Sequence, residues 1–303
     1  MPIGSEIEKK TEDQSKNKSK SPEFHLTDPK FNFSELIISK NSLDDINSLI
    51  NLQKNLKFIA EDMCFKETHD LSDSFILNLY GPPGTGKTSI AHAIANKLGK
   101  KILSVDYSEI ESKYVGETPK NLKKVFDFAS NSDDCIIFFD EADAMLSKRV
   151  TNMSSSTDTS VNQTRSVLLN ILNDFKGYLI FATNFVSNYD PAFMRRINRH
   201  IHIDLPDSEA RHKLFERYIP KKYHSSIELS TLSAESEGMS PADIKKSTLL
   251  AAYSAVESKS FSINNDIIIT EISKIKQSKN ANLSNAETFT RILSKEEASQ
   301  IIK

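Results

Sequence analysis

The stretch LNLYGPPGTGKTSI, residues 77–90, decides the fold class of this chain. An apolar run enters a loop with three glycines and two prolines, and the loop leads directly into Lys87 and Thr88. Glycines at this spacing let successive backbone N–H groups converge on one point, where they can bind a phosphate group. The spacing of glycine, lysine and threonine therefore predicts a nucleotide site.

The residues on both sides of the loop support this prediction. Residues 75–80 are apolar enough for a buried strand, and Ile90, Ile94 and Leu98 recur at the spacing of one helix face. Gly99 stands where such a helix would end. The predicted nucleotide-binding residues are Pro83, Gly84, Thr85, Gly86, Lys87, Thr88 and Ser89.

Two acidic residues at the end of another apolar run are candidates for the chemistry. Residues 135–140 read CIIFFD, and Asp140 is followed by Glu141. We expect Thr88 and Asp140 to hold Mg²⁺, in part through its water shell. Glu141 would polarise an attacking water. With Lys87 placed to contact the β- and γ-phosphates, these residues predict ATP hydrolysis.

The order of apolar runs predicts an α/β fold. Helical patterns separate the runs, including one expected to begin with Thr118 as N-cap and Pro119 at its first position. Such alternation favours βαβ units and a parallel sheet with ligands at the carboxyl ends of its strands. The predicted strands are residues 75–80, 102–106, 135–140, 178–184 and 200–206.

Composition divides the chain into three parts. Residues 1–27 are rich in Lys, Ser, Glu and Asp, which predicts a disordered tail. Residues 28–207 form the predicted nucleotide-binding domain, with a helix indicated by the apolar spacing from Leu43 to Leu56. Residues 208–303 carry helical patterns and predict a small helical lid domain, in which Ser240 begins one helix.

Composition also argues against several classes of protein. The chain has 303 residues and a formal net charge of -2, which disfavours nucleic-acid binding by bulk electrostatics. Cys64 and Cys135 form no metal-ligand pattern. No apolar stretch approaches the roughly 20 residues of a membrane span, and the N-terminus shows no signal-peptide core, so we expect a cytoplasmic location.

The combined motifs resemble the AAA+ ATPases, over about residues 31–260. The resemblance implies a P-loop NTPase sheet flanked by helices and followed by a helical lid. Within the family the chain looks most like the clade of katanin, fidgetin and spastin. The motifs that carry the resemblance are NLYGPPGTGKT (78–88), IIFFDEADA (136–144), FATN (181–184) and DPAFMRRINRHIHIDLPD (190–207), with SKYVGETPKNLKKVF (112–126) and EGMSPADIKKSTLLAA (237–252).

The resemblance implies roles that spacing alone does not show. Asn184 matches the sensor position that helps to place the attacking water, although an Asn after a strand can also be a simple turn former. Arg195 and Arg196 match the arginine-finger pair, which would act at the ATP site of a neighbouring subunit. A solvated basic turn that includes Arg199 is the alternative. Arginine fingers imply a homo-hexameric ring whose assembly ATP promotes.

A pore loop is the last implied feature. Lys113, Tyr114 and Val115 match the loop that grips polypeptide in the channel of such rings, so the implied partner is a protein substrate. Tyr114 packed against its own domain is the alternative. Residues 147–165 are rich in Ser and Thr, and we expect a mobile loop that either overlaps a second pore loop or is an ordinary surface loop.

Three functions remain open from the sequence. The leading one is an ATP-driven ring that remodels proteins by threading them through its pore. The others are a nucleic-acid-associated AAA+ factor, such as a clamp loader or recombination motor, and an ATP-gated assembly platform. The segment 237–252 lacks the second-sensor arginine of clamp loaders. Residues 140–143 spell Asp-Glu-Ala-Asp, but no second set of strands supports a helicase. Adenine contacts are unassigned, because residues 33–40 stand where the family's adenine segment would be.

Overall fold

The structure is a computed structural model of the chain. The described residues are 24–69, 74–106, 110, 117–132, 134–147, 156–184 and 189–281. The predicted pore residues Lys113, Tyr114 and Val115 lie outside these ranges, as do residues 1–23 of the predicted tail.

A five-stranded parallel sheet forms the centre of the described fold. Its strand order is β2-β3-β4-β1-β5, and the predicted α/β fold class is confirmed. The strands are β1 (Phe75–Tyr80), β2 (Lys101–Asp106), β3 (Cys135–Asp140), β4 (Tyr178–Thr183) and β5 (Arg199–His202).

Helices cover both faces of the sheet and make up the C-terminal region. Short 3₁₀ turns lie at Phe33–Glu35, Phe65–Glu67 and Lys221–Tyr223. The helices are α1 (Lys40–Lys54), α2 (Leu56–Glu61), α3 (Lys87–Leu98), α4 (Glu117–Ser130), α5 (Asp143–Leu146), α6 (Ser156–Asp174), α7 (Pro191–Met194), α8 (Ser208–Tyr218), α9 (Leu229–Glu235), α10 (Pro241–Glu257) and α11 (265–281).

The sheet is buried on both faces, which explains why its strands read as continuous apolar runs. On one face the core includes Leu122 and Phe126 of α4 and Leu168 of α6. On the other it includes Ile50 of α1 and Ile94 of α3. The packing of helices against both faces fixes the carboxyl edge of the sheet as the surface where loops can form a site.

The C-terminal helices have a core of their own. Phe215 of α8, Ile244 of α10 and Ile268 of α11 belong to one apolar cluster, distinct from the two at the sheet. Ser240 caps α10 as predicted, because its side chain accepts a hydrogen bond from the backbone N–H of Asp243. The division of the chain after residue 207 stays a prediction, which this separate core supports.

Three of the predicted strands have boundaries that differ from the structure, and β5 differs at both ends, since it begins at Arg199 rather than His200. The largest difference is at β5, which ends at His202 rather than Pro206. Its partner β1 ends at Tyr80, whose carbonyl accepts the last bond from the N–H of Ile203. No strand remains beyond that point to pair with. Pairing also sets two other ends. β4 ends at Thr183, opposite the last residue of β1, and β2 begins at Lys101, opposite the first residue of β3.

Two predictions about helices and loops were wrong. Thr118 is not an N-cap, because α4 already begins at Glu117 and the Thr118 side chain is buried. Residues 147–165 are not one continuous loop, since α6 begins at Ser156. Leu168 and Leu172 bury that helix against the core, so tertiary packing outweighs the weak helix propensity of its Ser- and Thr-rich first turns.

The predicted tail was too long and the predicted first helix is divided. Thr27 pairs with Ile102 through backbone hydrogen bonds, while Phe24 and Leu26 pack against the core. The helical pattern from Leu43 to Leu56 corresponds to two helices, α1 and α2, separated at Asn55. Within the residues that the structure describes, no helix combines the length and the apolar character needed to cross a membrane.

Candidate nucleotide site

Three adjacent strands bring the predicted site residues to one edge of the sheet. In the order β3-β4-β1, the carboxyl ends of the strands carry Asp140, Asn184 and the glycine-rich loop. The loop turns directly into α3, which starts at Lys87. Parallel strands place their carboxyl ends at the same edge, so residues up to about 100 positions apart in sequence become neighbours.

The loop has the backbone conformation that only glycine adopts readily. Gly84 has φ +78° and Gly86 has φ +93°, both in the left-handed region. A Cβ at Gly84 would lie 2.7 Å from the Ser240 hydroxyl, so the loop also meets the start of α10. The backbone N–H of Ala242 donates to the Gly84 carbonyl at 3.2 Å, which joins the loop to the C-terminal helices.

Lys87 is buried at the centre of the site, with 8% of its surface exposed. Its Nζ donates to the carbonyls of Gly81 at 2.8 Å and Pro82 at 3.1 Å, and to Asn184 Oδ1 at 3.0 Å. Burial lowers the pKa of Lys87 below its ordinary value, while the carboxylates of Asp140 and Asp143 act in the opposite direction. The sequence-predicted cation and the sensor residue are therefore in direct contact.

Thr88 and Asp140 meet as a candidate Mg²⁺ site. The Thr88 hydroxyl donates to Asp140 Oδ2 at 2.7 Å, so two oxygen ligands that suit Mg²⁺ lie side by side. Across the described part of the chain, no cluster of three or more His, Cys, Asp or Glu forms a complete cation site. The pair fits Mg²⁺ in the manner of nucleotide sites, where phosphates and waters supply the other ligands.

Glu141 follows Asp140 in an unusual backbone conformation. Its φ is +51°, and its N–H donates to Asp140 Oδ1 at 3.0 Å. A left-handed conformation costs a non-glycine residue about 1–2 kcal/mol. The exposed Glu141 side chain is among those that line the cavity at this edge of the sheet.

Asp143 is a site residue that the sequence analysis missed. Both of its carboxylate oxygens accept from the backbone N–H of Asn184, at 3.1 and 3.2 Å. This contact holds the backbone of Asn184 at the end of β4, while the Asn184 side chain points to Lys87. The sequence contains a signal for it, because Asp143 completes the run Asp-Glu-Ala-Asp at 140–143, but that run assigns a role only to Asp140 and Glu141.

Two cavities adjoin the loop. One has a volume of about 350 Å³ and lies over the carboxyl edge. Of the predicted nucleotide-binding residues, Thr85 instead faces the second cavity, of about 550 Å³. We call the first cavity the phosphate cavity, because the predicted phosphate-binding loop lines it. Its lining residues are Pro83, Gly84, Gly86, Lys87, Thr88, Ser89, Asp140, Glu141, Ala182, Asn184 and Ala242.

The larger cavity involves residues that the sequence left unassigned. Its walls come from the segment before and into α1, including Ile37 and Ile38, and from the segment after β5, including Ile203 and Leu205. Pro241 at the start of α10 closes another side. Periodicity gives no signal for such a cavity, because its walls come from three segments far apart in sequence.

The predicted arginine fingers lie away from the phosphate cavity of their own chain. Arg195 caps the end of α7 and is exposed, as is Arg199 at the start of β5. Arg196 donates through Nε to Asn173 Oδ1 at 2.6 Å and through Nη1 to the Ala192 carbonyl at 2.7 Å. No arginine of this group is among the residues that line the cavity.

Comparison with known proteins agrees with this site. Residues 77–205 match the family described as "ATPase family associated with various cellular activities (AAA)". The proteasome-activating nucleotidase of Sulfurisphaera tokodaii is 37% identical over 209 residues, covering 67% of this chain and 53% of the relative. Proteins of the same name from Saccharolobus islandicus and Saccharolobus solfataricus are 36% identical, with the same coverage of both chains.

The names of these relatives bear on the predicted clade, and the relatives are longer than the segment that they share with this chain. They carry the name of a nucleotidase, so the comparison supports the AAA family and not the katanin, fidgetin and spastin clade in particular. The chain spans about half the length of the relatives it matches. The matched segment contains the glycine-rich loop, Asp140, Glu141 and Asn184. Residues 77–205 of this chain form an ATPase domain of the AAA family.

Proposed function

We propose that the chain hydrolyses ATP to ADP and phosphate and uses the energy to remodel proteins as a homo-hexameric ring. The observation that carries the proposal is the convergence of Lys87, Thr88, Asp140, Glu141 and Asn184 on one cavity. Transfer of a phosphoryl group to water needs a cation at the phosphates, ligands for Mg²⁺, a base for the water and a polar side chain that orients it, and these five residues can supply them.

Each residue has one task in this proposal. Lys87 contacts the β- and γ-phosphates and releases the carbonyls that it holds in the structure. Thr88 and Asp140 hold Mg²⁺, which would neutralise charge on the phosphates. Glu141 accepts a proton from the attacking water, and Asn184 orients that water. Asp143 fixes the backbone of Asn184.

The larger cavity is proposed to take the adenosine part of ATP. It adjoins the loop through Thr85, whose hydroxyl donates to the Pro82 carbonyl at 2.9 Å. Its walls combine apolar residues such as Ile37 and Ile203 with polar residues such as Ser39, a mixture typical of small-molecule sites. This places the base between the segment before α1 and the lid helices, so the lid would sense the nucleotide.

The choice of a protein substrate rests on the resemblance and on the relatives. The relatives are named as activators of proteasomes, and the predicted pore loop contains the aromatic Tyr114. A nucleic-acid-associated factor is less well supported, given the net charge of -2. An assembly platform that does not translocate would keep the same ATP site, so the pore residues decide between the two.

Lys87→Ala is expected to weaken ATP binding by at least about 10–100-fold, because a charge-assisted hydrogen bond is worth about 1.5–3 kcal/mol. Titration calorimetry with a non-hydrolysable ATP analogue measures the change. Lys97→Ala, which removes an exposed lysine from the same helix, is the control and should bind normally. Equal affinities for both variants would contradict the assignment of Lys87.

Tyr114→Ala is expected to abolish unfolding of a fluorescent protein that carries an unstructured tail, with basal ATPase unchanged. The reason is that an aromatic ring can hold a threaded chain by burial worth a few kcal/mol at most. Tyr114→Phe should retain most unfolding activity, since the hydroxyl is not needed. Full unfolding by the Ala variant would favour the assembly platform, and an Ala variant that fails to fold would show that Tyr114 is a core residue.

A further inference from the structure

A polar cluster lies in the sheet next to the phosphate cavity but does not line it; three of its four side chains are buried and the fourth, His200, is half-buried. At its centre is Asn78 in β1, which is fully buried, as are its neighbours in the strand, Leu77 and Leu79. The Thr183 hydroxyl donates to Asn78 Oδ1 at 3.2 Å. Asn78 Nδ2 donates to the Tyr189 hydroxyl at 3.5 Å and lies 3.4 Å from His200 Nδ1. We call Asn78, Thr183, Tyr189 and His200 the Asn78 cluster.

The protonation states of the cluster are set by burial. Burial raises the pKa of Tyr189 to about 12, so its hydroxyl is protonated under ordinary conditions. Burial lowers the pKa of His200, with the Met194 carbonyl acting weakly in the opposite direction. A neutral ring with its hydrogen on Nε2 can accept from Asn78 at Nδ1. Both amide hydrogens and the carbonyl oxygen of Asn78 then have partners.

The cluster is incomplete at one atom. His200 Nε2 is buried and has no hydrogen-bond partner of standard geometry among the described residues. Such a group costs free energy that an apolar side chain would avoid. Ile76, two residues before Asn78 on the same face of β1, is buried in the apolar core, so this face of the strand accepts an apolar side chain. Folding alone therefore does not explain the amide.

The partners of Asn78 flank the arginine segment, residues 190–199. Tyr189 directly precedes Asp190, which caps α7 before Arg195 and Arg196. His200 directly follows the other end of the segment. Thr183 directly precedes Asn184 of the phosphate site. The Asn78 amide therefore contacts the residue before the segment, the residue after it, and the last residue of β4.

We infer that Asn78 is a positioning residue that holds the arginine segment at a set place relative to the end of β4. The inference deepens the proposed function and rests on its assignment of arginines that act at a neighbouring subunit. The β4 end has other anchors, the Asp143 carboxylate and Lys87. The arginine segment is also held by the Asp190 N–H on the Leu146 carbonyl and by Asn198 on the backbone of Ile76. Loss of Asn78 therefore shifts the segment without releasing it, and the subunit's own ATP site keeps its separate anchors.

The first test compares two buried changes in the same strand of the full chain. Asn78→Leu should lower ATP turnover at saturating ATP by about 10–100-fold, because a small displacement of the arginines is enough to slow the reaction by that factor. Its ATP affinity should stay within about 3-fold of the parent. Ile76→Ala, on the same face of β1 and outside the cluster, should lower the melting temperature and leave turnover within about 3-fold. Tyr189→Phe, which removes one hydroxyl and keeps the ring, should lie between parent and Asn78→Leu. Turnover in Asn78→Leu no lower than in Ile76→Ala would overturn the inference.

The second test determines whether the Asn78→Leu defect lies in the arginines that a subunit supplies to its neighbour or in the subunit's own ATP site. Asn78→Leu subunits mixed with Lys87→Ala subunits should regain turnover, because the second supplies intact arginines to the ATP sites of the first. Mixtures of Lys87→Ala with the Arg195→Ala/Arg196→Ala double variant serve as the reference, and a tag on one subunit shows that mixed assemblies form. Recovery in the reference mixture alone would overturn the inference. Recovery in neither mixture, although mixed assemblies form, would show that the arginines do not act in trans and would overturn the proposed function and the inference together.

Discussion

Glu141→Gln is expected to lower ATP turnover by about 100–10,000-fold while ATP still binds. The carboxylate can accept a proton from water and the amide cannot, but the two side chains have the same size. The exchange also keeps the positive φ of residue 141, because Gln tolerates that conformation as poorly as Glu does. The loss should therefore be in the chemical step rather than in folding or binding.

Phosphate release at saturating ATP, together with calorimetric titration of ATP, separates these two effects. Glu216→Gln is the matched control, since Glu216 is exposed on α8 and lines neither cavity. It should behave like the parent protein. Turnover at the parent rate in Glu141→Gln would refute the role of Glu141, and loss of ATP binding would show that the residue is structural.

The Arg195→Ala/Arg196→Ala double variant is expected to lose about 10³–10⁵ in ATP turnover with nearly normal ATP affinity. A guanidinium that reaches the γ-phosphate of a neighbouring subunit stabilises charge that develops only in the transition state. Neither arginine lines the phosphate cavity of its own chain, so binding within one subunit should not depend on them.

Three single variants sharpen this prediction. Arg196 binds Asn173 and the Ala192 carbonyl, so Asn173→Ala tests whether that contact by itself matters and should have a small effect. Arg199→Ala removes the remaining exposed arginine of the segment. A large loss in Arg199→Ala and none in Arg195→Ala would move the finger role to Arg199. Parent-like turnover in every arginine variant would support a solvated basic turn.

Local patterns in the sequence determined the candidate phosphate site. The loop is left-handed at residues 84 and 86, a conformation that glycine adopts at little cost, and Lys87 and Thr88 follow at the start of a helix. The apolar run that ends in Asp140 has the length and the composition typical of a strand buried on both faces. Such features depend on residues next to one another, so a single sequence contains all the information needed to predict them.

Strand ends and helix starts were predicted less well, because they depend on partners. The end of β5 follows from the end of β1, which no pattern around residues 200–206 contains. Likewise Thr118 has the composition of an N-cap, but its burial places it inside α4. In both cases a contact across the fold outweighs a local preference.

Only the tertiary structure decided which polar side chains meet. The order β3-β4-β1 brings Asn184 against Lys87 and Asp143, and it brings the fully buried Asn78 against Thr183. The order of strands is a property of the whole sheet, since the crossover helices carry each strand past its neighbours. The sequence by itself therefore determined the parts of the ATP site. Packing determined their neighbours, because burial forces each polar group to find a partner from whichever strand lies beside it.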